Sequence, residues 1–263
     1  MVVTGETRLR TSLLLTLIAS GALLAGCGGA TPSSVYTPPS PTATLLAAVT
    51  TTTRHSLHAD IAVDLTISGS TAITVHANAH IAEESPTRIS ETVTESFFSE
   101  EQQQYLTAYD GTLYTSSDGG GTYHPVLTKT PINDTYNRED ALSTLEAVAT
   151  VTDAGPSTTD GVDVEEYTGT FDKDKLIPVI KGRLQRYGVL NATQLQALNN
   201  LTGTLDATID ADGRLVTEDI TFDTTVKCGC GRTIEVTEQA HIHYYDYGAA
   251  ITVQRPAASS VTA

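Results

Sequence analysis

The chain has 263 residues and a formal net charge of −16, with 40% hydrophobic and 17% charged residues. These proportions are typical of a folded protein rather than a disordered one. The negative charge disfavours nucleic acid and anionic lipid headgroups as partners, because like charges repel each other. No nucleic-acid partner is therefore predicted.

The N-terminus has the organisation of a secretory signal. Two arginines precede a short apolar stretch at residues 13–24, which is too short for a membrane-spanning helix. Small residues then lead directly into a cysteine, in the sequence Leu-Ala-Gly-Cys that ends at Cys27, and this pattern is typical of a bacterial lipobox. We expect residues 1–26 to be removed and Cys27 to be lipidated. The predicted location is the extracytoplasmic face of the cell membrane, reached through the lipid anchor.

Composition divides the rest of the chain into three parts. Residues 27–43 contain the lipidated cysteine and a tether rich in Pro, Ser and Thr. Residues 44–255 show neither a fixed repeat nor a compositional break, so they are predicted to form one domain. Residues 256–263 are small and polar, which predicts a disordered tail.

The domain begins with a helix, starting near Leu45, and a β-hairpin follows. In the hairpin, apolar and polar residues alternate with the period of two that is typical of half-buried strands. The polar positions of its second strand, which include His76 and His80, are predicted to face solvent. The apolar positions are predicted to face the interior: Ile61, Val63, Leu65, Ile67, Ile73, Val75 and Ala77.

The middle of the chain continues with strands and is then interrupted by helices. A second strand pair is predicted over residues 87–98 and 102–109, followed by a turn at Asp110-Gly111. Three-residue steps between apolar side chains predict a helix over residues 139–151, with Leu142, Leu145 and Val148 on its apolar side.

A further helix is predicted after Phe171, with Ile177, Ile180 and Leu184 on its apolar side. Pro178 predicts a kink or a delayed start in this helix. A short helix is indicated by the leucines at 195, 198 and 201. Strands return over residues 205–209, 215–226 and 234–247.

Two features near the C-terminus could carry chemistry. Cys228 and Cys230 flank a glycine and could form a strained local disulfide or bind metal adventitiously, at an exposed hairpin tip. His241 and His243 are metal-ligand types, but they lie too far along one strand to join the cysteines without a fold-back. A solvated sheet face is the favoured interpretation, and no metal site is predicted.

The motifs of the common enzyme classes are missing from the sequence. There is no Gly-x-Ser-x-Gly elbow, no His-Glu-x-x-His, no phosphate-binding loop and no dinucleotide fingerprint. The chain is therefore expected not to be an enzyme and to need no cofactor. Tyr244, Tyr245 and Tyr247 could line a cavity mouth or cover a sheet edge.

The order of these features resembles a known family. The lipobox and tether precede a helix that leads into residues 57–61, which read Leu-His-Ala-Asp-Ile. Later come Asp-Gly-Thr-Leu-Tyr at 110–114, Gly-Gly-Gly-Thr-Tyr at 119–123 and Ile-Asp-Ala-Asp-Gly-Arg-Leu at 209–215. In these respects the chain resembles the mycobacterial LppX/LprA/LprF/LprG group of bacterial lipoproteins, within the LolA/LolB-like superfamily.

The resemblance implies an α+β fold, a strongly curved antiparallel half-barrel with helices packed over its concave face. It also implies a cavity between sheet and helices that binds or transfers the acyl chains of a lipid or lipoglycan. The implied lining comprises the seven interior hairpin residues together with Leu142, Leu145, Val148, Ile177, Ile180 and Leu184. The alternative is a cell-envelope scaffold or partner-binding lipoprotein whose interior is filled.

Overall fold

The computed structural model describes residues 39–69, 72–85, 87–97, 100–126, 144–186, 192–227 and 232–262. The strands are β1 (Leu57–Ser68), β2 (Ile73–Ser85), β3 (Arg88–Phe97), β4 (Glu100–Tyr109), β5 (Thr112–Ser116), β6 (His124–Val126), β7 (Val148–Thr159), β8 (Val162–Phe171), β9 (Thr202–Asp210), β10 (Leu215–Lys227) and β11 (Thr233–Tyr245). The helices are α1 (Pro41–Thr52), α2 (Lys173–Arg186), α3 (Ala192–Asn199) and a 3₁₀ turn, Ala258–Ser260.

All eleven strands belong to one open antiparallel sheet, in the order β6-β5-β4-β3-β2-β1-β11-β10-β9-β8-β7. The first strand therefore pairs with the last, and the two lie at the centre of the sheet. Hairpins join most other neighbours. The β4–β5 turn lies at Asp110-Gly111, where both residues have positive φ as a tight two-residue hairpin requires. The predicted α+β class and antiparallel sheet are confirmed.

Alternation of side chains gives the sheet two unlike faces. The inner face carries aliphatic residues such as Ile61, Val63 and Ile242, all at most 4% exposed. The outer face carries polar residues such as Asp64 and His76, which are more than half exposed. This is the division that the period-two pattern predicts.

The α1 helix covers part of the inner face, against β7, β9 and β10. Leu45, Ala48 and Val49 are each 1% exposed and join the same hydrophobic cluster as the inner-face residues. The helix begins at Pro41, earlier than predicted, because Ser40 caps it and proline suits the first helical position.

Three predictions about the later elements need correction or refinement. Val148 is the first residue of β7, paired with Phe171, and is not on a helix; its β-branched side chain suits a strand. The α2 helix starts at Lys173 with Pro178 inside it, so its start is not delayed. The expected disordered tail is instead held by pairing of Val261 with Tyr123.

A buried hydrogen bond joins α1 to the sheet. The Leu215 amide donates to the hydroxyl of Thr52 over 2.8 Å, and Thr52 is 1% exposed. Thr52→Val is expected to lower the free energy of unfolding by about 1–3 kcal/mol, because a buried amide loses its acceptor. Urea denaturation would measure the change. The control is Thr51→Val, whose hydroxyl bonds only its own helix; equal losses in both variants would contradict this role for Thr52.

Candidate functional site

The structure brings most of the predicted cavity residues into one hydrophobic cluster. The buried members are Ile61, Val63, Val75, Ala77, Leu145, Val148 and Leu184, and the partly buried residues packed against them are Leu65, Ile177 and Ile180. The sheet and the helical segments thus contribute to a common apolar interior. Leu142 lies outside the described residues.

Beyond this closed core the inner face continues as an aliphatic strip. Five half-buried side chains lie there outside the core cluster: Ile67, Ile73, Val226, Ile234 and Val236. They occupy matching positions on four neighbouring strands, since Ile67 pairs with both Ile73 and Val236, and Val226 pairs with Ile234. We call these five residues the open end of the inner face.

Carboxylic acids interrupt the apolar inner face at several register positions, among them Glu91, Glu95, Glu218 and Glu238. Burial raises the pKa of two of these acids, Glu238 and Glu218. Glu238 lies between Leu65 and Phe222 in the strand register. Its Oε1 atom is buried and has no hydrogen-bond partner within the described ranges. Burial raises the pKa of Glu238 to about 8, so the side chain is largely uncharged at neutral pH.

The second acid, Glu218, is 6% exposed and has a partner. The Tyr244 hydroxyl donates to its Oε2 atom over 2.8 Å. Burial raises the pKa of Glu218 to about 7, and the hydrogen bond from Tyr244 opposes that rise. The burial of Tyr244 beside this carboxylate raises its own pKa well above the usual value.

Tyr244, Tyr245 and Tyr247 lie in three different places. Neither predicted role, lining a cavity mouth or covering a sheet edge, therefore applies to all of them. Tyr244 is on the inner face and bonds Glu218. The Tyr247 hydroxyl donates to the carbonyl of Leu215, close to the end of α1. Tyr245 stacks with His58 on the outer face.

Glu218 and Glu238 were not predicted from the sequence as buried acids, although their positions on the apolar phase of two strands indicate burial. Glu238 falls between Val236 and Ala240 on the apolar phase of β11, and Glu218 precedes Ile220 and Phe222 on β10. A glutamate on the apolar phase of a strand indicates a buried acid. The predictions from the sequence named neither residue.

The outer face has the solvated character predicted for its histidines. His76, His80 and His241 are each more than half exposed, and each has its Nδ1 atom against an aspartate of the neighbouring strand. Among the residues that the structure describes, no group of three or more His, Cys, Asp or Glu side chains could hold a metal ion. Cys27, Cys228 and Cys230 lie outside those residues.

Within the described ranges, no helix combines the length and apolar character needed to cross a bilayer. The predicted signal segment and the predicted tether up to residue 38 lie outside those ranges, whereas residues 41–43, also predicted as tether, belong to α1.

No protein-family model and no curated protein matches the sequence. Solved structures do match. LprF from Mycobacterium bovis is 16% identical with a TM-score of 0.45, over 83% of this chain and 99% of that one. The lipoprotein LppX from Mycobacterium tuberculosis is 13% identical with a TM-score of 0.43, over 83% and 100%. A LolA superfamily protein from Nitrosomonas europaea is 8% identical with a TM-score of 0.28, over 76% and 90%. LprF and LppX both belong to the group that the sequence resembles.

Proposed function

We propose that the protein is a membrane-anchored extracytoplasmic lipoprotein that binds the acyl chains of a lipid along the inner face of its sheet. The observation that carries the proposal is the open end. There, five aliphatic side chains continue the apolar face beyond the closed core while remaining half-buried. An acyl chain lying along them would gain about 0.8 kcal/mol for each CH₂ group removed from water.

The centre of the inner face supports the same role. Ala77 and Ala240 both pair with Val63, so two small side chains flank one β-branched residue. Both alanines are buried in the core cluster, so a ligand chain would contact them only where the helical cover moves away from the sheet. The neutral carboxyl of Glu238 lies beside this region and could donate a hydrogen bond to an ester or hydroxyl oxygen of the lipid.

Membrane anchoring is supported by the sequence, in which small residues lead straight into Cys27 after an apolar stretch. The proposed role is binding or transfer of lipid, without catalysis and without a cofactor. Lipid or lipoglycan chains are the proposed ligands, and the membrane is reached through the anchor.

Lipid content of the purified protein tests the proposal. Native mass spectrometry of protein incubated with cell-envelope extract is expected to detect bound lipid. Ala77→Phe, which adds a ring to the inner face, is expected to lower the bound fraction about tenfold. Ile67→Ser at the open end should lower it as well, with less risk to folding, because Ile67 is only half-buried.

The matched control is Ala62→Phe, the same change at an exposed outer-face position of the neighbouring strand. It should leave the lipid content unchanged. Thermal unfolding of each variant separates loss of lipid from loss of fold. A wild-type protein that never carries lipid, even after incubation with the extract, would favour the scaffold alternative and overturn the proposal.

A further inference from the structure

A second candidate site lies on the opposite side of the sheet. An open groove of about 440 Å³ crosses the outer face over β3, β2, β1 and β11. Its floor is formed by Ala62 and Asn78, which are register partners. The surrounding polar side chains are Asp60, His80, Thr92, Thr94, His241 and His243. This volume falls within the range of small-molecule sites in proteins.

The polar groups around the groove are held in place by their neighbours. His80 Nδ1 lies 2.7 Å from Asp60 Oδ1, and His241 Nδ1 lies 2.7 Å from an oxygen of Asp219. A neutral imidazole whose Nδ1 donates to a carboxylate presents Nε2 as a hydrogen-bond acceptor. Each histidine–aspartate pair therefore offers a fixed set of hydrogen-bonding atoms.

Ring contacts hold two of the histidines that line the groove, His80 and His243, against His58 and Tyr245, which do not line it. The rings of His58 and His80 stack with centroids 5.6 Å apart, and Tyr245 stacks on His58 at the same distance. His243 lies 5.4 Å from Tyr245. Rings fixed in this way lose little further rotamer freedom when a ligand binds.

The charge and position of the groove exclude several classes of ligand. No lysine or arginine lines the groove and Asp60 does, so a neutral ligand suits the groove better than an anionic one. No described residues form a three-ligand metal group. These strands lie within the sheet and are paired on both sides, so a peptide cannot add to them as an extra strand.

We propose that this groove binds a neutral carbohydrate, as an oligosaccharide or as part of a polysaccharide chain. Sugar hydroxyls both donate and accept hydrogen bonds, which suits a surface where carboxylate, amide, imidazole and hydroxyl groups alternate over a few ångströms. Ring faces suit the apolar C–H faces of a pyranose. Because the groove and the inner face lie on opposite sides of the sheet, the protein can hold carbohydrate and lipid independently.

The test is binding of neutral oligosaccharides to the full chain, purified in a detergent without a sugar headgroup. Maltotetraose, cellotetraose, mannotetraose and chitotetraose are the probes, measured by isothermal titration calorimetry and saturation-transfer NMR. At least one is expected to bind with a Kd of about 1 mM or tighter. His80→Ala is expected to weaken that binding about tenfold. The change removes a side chain that lines the groove, together with the imidazole nitrogen that would hydrogen-bond a sugar hydroxyl.

The matched control is His76→Ala. Its side chain is on the same strand, is 56% exposed against 53% for His80, and also faces a β1 aspartate, but it does not line the groove. It should retain wild-type affinity, whereas Ala62→Phe should abolish binding by filling the floor. The proposal is overturned if none of the four sugars binds, if His76→Ala and His80→Ala weaken binding equally, or if the groove responds only to Zn²⁺.

Discussion

Replacing Cys27 with serine is expected to move the protein from the membrane pellet to the soluble fraction, or to block processing of the signal. The reason is that a thiol is the acceptor for the lipid, and a hydroxyl at the same position is not. Stable anchoring needs more than one acyl chain, since a single chain gives only reversible binding. The change should therefore be close to all-or-none in detergent-free extracts.

Mass spectrometry of the intact protein gives the second measurement. Wild-type protein should lack residues 1–26 and carry the added mass of acyl chains. The matched control replaces Cys228 and Cys230 with serine, which leaves the lipobox intact and should leave the protein in the membrane pellet. A Cys27→Ser protein that remains in the pellet with an unchanged mass would refute the anchor.

Replacing Glu238 with glutamine is expected to make the protein more stable than wild type at alkaline pH and to change it little near pH 5. Burial raises the pKa of Glu238 from 4.5 to about 8 in the folded protein. Between these values the folded state retains a proton that the unfolded chain releases. The contribution of Glu238 to the free energy of unfolding is therefore fully present below pH 4.5, and it is lost as the pH rises from there through about 8.

Glutamine does not ionise, so the difference between variant and wild type should grow with pH to about 2–4 kcal/mol near pH 8.5. Denaturation midpoints measured from pH 5 to about 9 would show the slope. Glu235→Gln is the matched control, on the same strand but exposed on the outer face. Parallel pH profiles for wild type and Glu238→Gln would mean that the Glu238 carboxyl is not buried in the folded state.

The faces of the strands could be predicted because alternation is local. Val63 and Ala77 were assigned to the interior and His76 and His80 to solvent from period two alone, and each lies on the predicted face. The turn at Asp110-Gly111 could also be predicted, since few residue types adopt the positive φ angles that it requires.

The sequence prediction is wrong where a strand happens to begin at a residue that also fits the spacing of a helix. Leu145 and Val148 are three residues apart, which favours a helix, yet Val148 begins β7. The strand is decided by its pairing with β8, a contact that the helical spacing does not reveal. The predicted start of α1, near Leu45, is later than the observed start at Pro41. The Pro, Ser and Thr residues before Leu45 are typical of a tether, but Ser40 caps the helix.

The sequence by itself determined the antiparallel strands and the side of the sheet on which most side chains lie, and it predicts the signal with its lipobox. These depend on residues close together in the chain. Only the tertiary structure decided that β11 lies beside β1, which brings His243 next to Asp60 and Glu238 next to Leu65. Such pairings join residues more than 170 positions apart, and nothing in a local pattern specifies which strands will be neighbours. The outer groove and the buried carboxyl both arise from that one long-range pairing.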